Sequence, residues 1–166
     1  MLNDALFSST KDNWGTPQWL FDLLHERYQF EVDLFASKED ALLPFYIDDA
    51  FNVDWQEYAR GKTGFGNPPY RAKKPTTWDF VKLAYDWAYK KKDPVPSVLL
   101  IPARTDTKVF INNVLHRGRL HFVEGRVKFK GAEQGAPFPS IVVHFDPTLM
   151  KVKIDDIISA RNQNWK

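Results

Sequence analysis

The chain contains no cysteine, which excludes disulfides, zinc ribbons and thiol catalysis and suits a reducing cytoplasm. No apolar run approaches the length of a membrane-spanning helix. The first residues lack the basic-then-apolar layout of a signal peptide. The four histidines (His25, His116, His121 and His144) show no metal-ligand spacing, so no metal is expected. There is no internal repeat, no low-complexity tract and no Gly/Ser linker. Disorder, collagen and coiled coil are poor readings of 166 residues that are 43% hydrophobic and 27% charged. One domain over residues 1–166 is expected, with 1–13 as a loose leader and 146–166 as an exit segment.

What is abundant is aromatic: 6 Trp, 6 Tyr and 13 Phe, enough for a dense core or a surface that stacks rings. Charge is unevenly spread beneath a net +2. Residues 22–57 hold ten acidic groups against two basic ones, and residues 58–130 hold sixteen basic against five acidic. A basic half can meet a polyanion and an acidic half a cationic small molecule, although both also suit solvated faces.

Thr16 reads as an N-cap and Pro17 as the first helical residue, followed by an apolar stripe of Trp19, Leu20, Leu23 and Leu24. Phe30–Leu34 is a strand candidate, Glu39–Leu43 a short helical piece, and Gly61–Gly66 turns into a second strand that Pro68 and Pro69 must end. Thr76–Lys90 has helical spacing, with Trp78, Val81, Ala84, Tyr85 and Ala88 on one face. Ser97–Ile101 is apolar without alternation, as in a buried parallel strand. Thr105 or Asp106 caps a helix carrying Phe110, Ile111, Val114 and Leu115. Leu120–Val123, Val127–Phe129 and Ser140–Phe145 follow as strands, with a helix near Ile154–Ala160. The alternation predicts an α/β sheet with crossovers, mostly parallel. No full helix separates the last two strands, so the last is expected to be antiparallel.

Asn67-Pro68-Pro69-Tyr70 carries the sharpest chemical signal. It falls at the carboxyl end of a strand, where α/β sheets place their functional crevice. As bare structure it is a rigid turn. As chemistry it suits the exocyclic amine of a base, whose lone pair is delocalised into the ring. The Asn67 amide oxygen and the fixed Pro68 carbonyl can each accept one N–H, pulling the nitrogen toward tetrahedral geometry. Tyr70 offers a ring for an extruded base to stack on.

This tetrad resembles the catalytic motif of amino-methyltransferases that use S-adenosylmethionine (SAM). Alone it would also fit N4-cytosine or protein-glutamine enzymes. Trp14–Asp22, Val32–Ser37, Gly66–Tyr70, Leu100–Thr107, Phe122–Phe129 and Ala136–Ser140 keep the order and approximate spacing of another, narrower group. Together they resemble the small phage-type, Dam-like DNA N6-adenine methyltransferases over roughly residues 14–145. The resemblance implies a reduced class I, Rossmann-like methyltransferase fold and catalytic Asn67, Pro68, Pro69 and Tyr70. It implies SAM held near Trp14, Thr16 and Pro17 and near Asp33, Phe35 and Ala36, with Asp54 beside the cofactor's adenine. It further implies double-stranded DNA as substrate and the cytoplasm of a bacterial host. The glycine-rich loop of the wider superfamily is replaced by Asp33-Leu34-Phe35-Ala36-Ser37, and Asp40 stands where Asn is expected.

Other residues carry weaker signals. Asp33 reads as a ligand of the SAM amino group or ribose, or as a helix cap; Asp54 reads equally as a surface residue beside a core Trp55. Arg104 opens toward the same crevice as Asn67 and suits a phosphate or target-base role. Lys73 and Lys74 can touch phosphates of the flipped nucleotide, and Arg126 and Lys128 form a DNA grip with Arg117 and Arg119 nearby. Two alternatives belong to other classes: a nuclease with Asp48, Asp49 and Asp54 around a metal, and a non-catalytic nucleic-acid-binding module.

Overall fold

In the computed structural model, which describes residues 14–149 and 151–166, the chain builds a mixed nine-stranded sheet with helices on both faces. The leader expected over 1–13 lies outside the described residues. Helix α1 (Gln18–Tyr28) leads into β1 (Val32–Asp33) and β2 (Phe45–Tyr46), then α2 (Trp55–Ala59) and β3 (Gly64–Gly66). Helix α3 (Thr77–Tyr89) precedes β4 (Ser97–Pro102); a π-helical turn (Phe110–Val114) runs into α4 (Leu115–Arg117). Then come β5 (Arg119–Glu124), β6 (Ser140–Phe145) and three two-residue strands, β7 (Lys153–Ile154), β8 (Ile158–Ser159) and β9 (Asn164–Trp165). The sheet order is β2-β1-β3-β4-β6-β5-β8-β9, with β7 also on β5.

Strands β1 to β4 pair in parallel, and β6 runs antiparallel between β4 and β5. The expected antiparallel strand is therefore inserted in the sheet rather than added at its edge. Every residue of β4 and β6 is buried, because both faces are covered. Alternation along β4 divides the core. Leu99 and Ile101 join Trp55, Trp87 and Phe145 under α2 and α3, while Val98 and Leu100 join Phe21, Phe30 and Phe65 under α1. Thr76 and Asp79 form a capping box at the start of α3. The buried face of α3 is rotated from the expected one toward Phe80 and Trp87, and Trp87 stacks on Trp55 at 5.4 Å.

Strand β3 is Gly-Phe-Gly, and close packing requires both glycines. A Cβ on Gly64 would lie 2.7 Å from the Leu34 side chain, and one on Gly66 2.7 Å from the Phe35 ring. The residues following β1 can thus fold down over β3.

Several local expectations are corrected. Pro17, not Thr16, is the N-cap of α1, and its carbonyl accepts from Leu20 and Phe21 N–H. The piece at Glu39–Leu43 is a turn closed by Ala41 N–H to the Ser37 carbonyl, not a helix. The helix after β4 is capped by Thr107, whose hydroxyl accepts from Phe110 N–H at 3.3 Å. Val127–Phe129 forms no strand: the Val127 carbonyl accepts from Ala136 N–H at 2.8 Å, and the segment ends in the isolated bridge between Gly15 and Lys130. The tail forms strands instead of a helix at 154–160. The edge of β5 presents unpaired backbone groups, and Lys153, Asp155 and Ala160 N–H donate to its flank at Gly118, Leu120 and Glu124. A β-branched stretch such as Val152–Ile158 suits that pairing better than a helix.

Candidate active site

A cavity of about 310 Å³ opens at the carboxyl ends of β1 and β3. Trp14, Gly15 and Thr16 form one wall; Asp33, Phe35 and Ala36 follow from β1; Asn67, Pro68 and Pro69 follow from β3. Glu39, Asp40, Leu42, Phe65 and Lys130 complete it. Segments far apart in sequence converge there because parallel strands deliver all their carboxyl ends to one edge.

The orientation of Asn67 is determined by chemistry. Its amide nitrogen donates to the Trp14 carbonyl at 2.5 Å and to the Thr16 hydroxyl at 2.9 Å. A carbonyl can only accept, so the nitrogen must face it and Oδ1 must face the other way. That Oδ1 is buried with no hydrogen-bond partner among the described residues. Buried orphan acceptors are uncommon and call for an explanation. The Pro69 carbonyl accepts from Arg71 N–H at 3.1 Å and from the Thr77 hydroxyl at 2.8 Å, whereas the Pro68 carbonyl accepts no hydrogen bond from a described residue. Asn67 Oδ1 and the Pro68 carbonyl are thus acceptors of the tetrad without a partner among the described residues.

Tyr70 lies beside the cavity rather than among its lining residues. Its hydroxyl donates to the Leu100 carbonyl at 2.9 Å, and burial pushes its pKa well above the ordinary tyrosine value. It is thus a pinned ring, not an acid or base. Phe129 and Phe138 meet it edge-on at 5.8 and 5.4 Å, and Trp14 meets the same two rings at 5.4 Å. These four aromatics form one block next to Asn67.

Asp33 is only 5% exposed and has no ion pair among the described residues. Its carboxylate accepts from Leu42 N–H at 3.1 Å. Burial raises its pKa to about 6, assisted by the nearby Asp40 charge and opposed by backbone donors. Asp40 in turn accepts from Ser37 N–H at 2.6 Å and from its hydroxyl at 2.9 Å. The cavity thus holds three carboxylates, and this polarity fits a ligand bearing positive charge, as the sulfonium and ammonium of SAM do.

The remaining sequence candidates lie elsewhere. Pro17 and Asp54 are not on the cavity; Asp54 is the N-cap of α2, accepting from Gln56 N–H at 2.9 Å, and is exposed. Asp49 accepts the Asn52 amide on both oxygens. Among the described residues no group of His, Asp or Glu is placed to hold a metal. Lys73, Lys74, Arg104, Arg126 and Lys128 are all exposed. Lys130, Glu39 and Leu42 escaped the sequence reading. Alternation in Arg126-Val127-Lys128-Phe129-Lys130, with the cations exposed and the apolar residues buried, is the signal that would have found the first.

A mixed, mostly parallel α/β sheet with its cavity at the strand carboxyl ends is compatible with a Rossmann-like methyltransferase. The family model described as DNA N-6-adenine-methyltransferase (Dam) matches residues 4–164, and the chain belongs to that family. Membership implies an enzyme that methylates adenine N6, with DNA as substrate and SAM as methyl donor. No curated protein matches the chain. No helix among the described residues is long and apolar enough to cross a membrane.

Proposed function

We propose that this enzyme flips adenine out of double-stranded DNA into the Asn67-Pro68-Pro69-Tyr70 pocket and methylates its N6 there. The observation that carries the reading is Asn67 Oδ1, a buried acceptor without a partner among the described residues, fixed in direction by the Trp14 carbonyl and the Thr16 hydroxyl. With the Pro68 carbonyl it accepts both N–H groups of the amine and localises the nitrogen lone pair. SAM, when bound, supplies an electrophilic methyl group on its sulfonium. Trp14, Thr16, Asp33, Phe35 and Ala36 line the space for it, and Asp33 supplies a buried negative charge. Tyr70 stacks the extruded base, held upright by the Leu100 carbonyl. Neither acceptor is a strong base, so catalysis rests on preorganised polarity and positioning. Lys73, Lys74, Arg104, Arg126 and Lys128 contact phosphates around the flipped nucleotide. The enzyme acts in the cytoplasm of a bacterial host, on phage or prophage business.

The test is single-turnover methyl transfer to DNA, with the product nucleoside identified by mass spectrometry. Asn67→Ala lowers the rate on the order of 10²-fold or more while SAM still binds by calorimetry. A wild-type rate in Asn67→Ala, or 5-methylcytosine as product, overturns the mechanism; N4-methylcytosine overturns only the choice of base.

A further inference from the structure

We infer that Lys130 binds the carboxylate of the methyl donor's amino-acid end, an inference that rests on the reading above. The cavity is polarised. Asp33, Glu39 and Asp40 line it with negative charge, and Lys130 is the one basic residue among its described lining. Lys130 forms no ion pair with any described residue, although it faces a space lined by three carboxylates.

Its root is held in place twice. The Lys130 backbone N–H donates to the Gly15 carbonyl at 2.7 Å, closing an antiparallel bridge. The side-chain stem lies over Gly15, where an added Cβ would come within 3.1 Å of the Lys130 Cβ. Gly15 sits between Trp14 and Thr16, the two residues that hold the Asn67 amide. Lys130 is therefore anchored at the catalytic end of the cavity. Arg126 and Lys128 are exposed on the same segment, but neither lines the cavity.

An α-amino acid end carries one positive and one negative group. The ammonium is attracted by the carboxylate wall, but the carboxylate is repelled by it unless a cation stands opposite. Lys130 supplies that cation, and a flexible ammonium suits a point contact with a carboxylate. A ligand with the same sulfonium and ammonium but no carboxylate gains nothing from it.

The experiment is calorimetric titration of SAM and of decarboxylated SAM into wild type and Lys130→Met, without DNA. Lys130→Met weakens SAM on the order of tenfold and leaves decarboxylated SAM within about twofold; Lys130→Arg restores most of the loss. Equal weakening of both ligands, or no weakening of SAM, overturns the inference. A parallel titration with DNA that Lys130→Met weakens while SAM affinity is unchanged also overturns it and assigns Lys130 to a phosphate. Failure of wild type to bind either ligand instead overturns the cofactor reading on which the inference rests.

Discussion

Asp33 at the cavity and Asp155 and Asp156 in the tail are the same side chain in two settings. Asp33 is buried, lacks a cationic partner among the described residues, and has its pKa raised to about 6. Asp155 lies 3.1 Å from Arg119, and Asp156 lies 2.7 Å from Arg27, whose guanidinium stacks 3.5 Å over Trp165. Nearby, Tyr28 hydrogen-bonds His121 Nε2, and His121 Nδ1 donates to the Asp156 carbonyl at 2.9 Å. In the tail, charge is used to pin β7–β9 against α1 and β5. In the cavity it is left uncompensated at a cost to the free protein, as expected where a cationic ligand is to complete the pairing.

Asp33 in the cavity and His144, buried in β6 beside Tyr28, respond to acid with opposite signs. The folded-state pKa of Asp33 exceeds its ordinary 3.8, so the native state binds more protons between about pH 4 and 6, and stability rises as pH falls through that window. His144 is buried beside Tyr28, at 4.6 Å between rings, and burial lowers its pKa from 6.5 to about 4. There the unfolded state binds more protons, so stability is full above about pH 6.5 and falls as pH drops toward 4.

The largest expected effect is at His144, in β6 beside Tyr28. His144→Phe flattens the acid limb, sparing up to about 3 kcal/mol of the loss between pH 7 and 4, as read by denaturant unfolding at each pH. The opposite arm, of similar size, is Asp33→Asn, expected to stabilise the free protein by up to about 3 kcal/mol at pH 8, with the two curves converging near pH 4, while SAM affinity falls. Matching pH profiles for wild type and Asp33→Asn would erase the contrast. Next, Thr16→Val removes one of the two acceptors that hold the Asn67 amide and should slow single-turnover methylation by about tenfold, with Thr16→Ser close to wild type. The smallest effect is Arg27→Ala, which loses a half-exposed ion pair and a ring contact. Urea unfolding should show less than about 1 kcal/mol, diminishing in high salt.

Features encoded over short stretches were readable in the sequence. The apolar runs of β4 and β6, the helical spacing of α3 and the tetrad at the end of β3 each depend on adjacent residues, and each lies where periodicity and turn chemistry place it. What escaped depends on distant partners. Thr16 looks like a cap because local chemistry permits it, yet its hydroxyl serves Asn67, more than fifty residues away. Asp54, read from the sequence as a neighbour of the cofactor or a surface residue, caps its own helix through Gln56 N–H. The tail reads as helical until the open flank of β5 supplies pairing. Lys130 reads as one more surface cation until the bridge to Gly15 brings it to the cavity.

The Gly-Phe-Gly strand bears on how this protein can change over generations. Gly64 and Gly66 make no polar contact through a side chain and look the easiest positions to replace. Yet every other amino acid adds a Cβ where Leu34, Phe35 and Leu99 already sit within 2.8 Å. Saturation mutagenesis with selection for methylation should therefore recover glycine almost alone at both positions, while Phe65 between them accepts other large apolar residues. The least decorated strand in the sheet is then its least negotiable, and variation must enter through the loops around it.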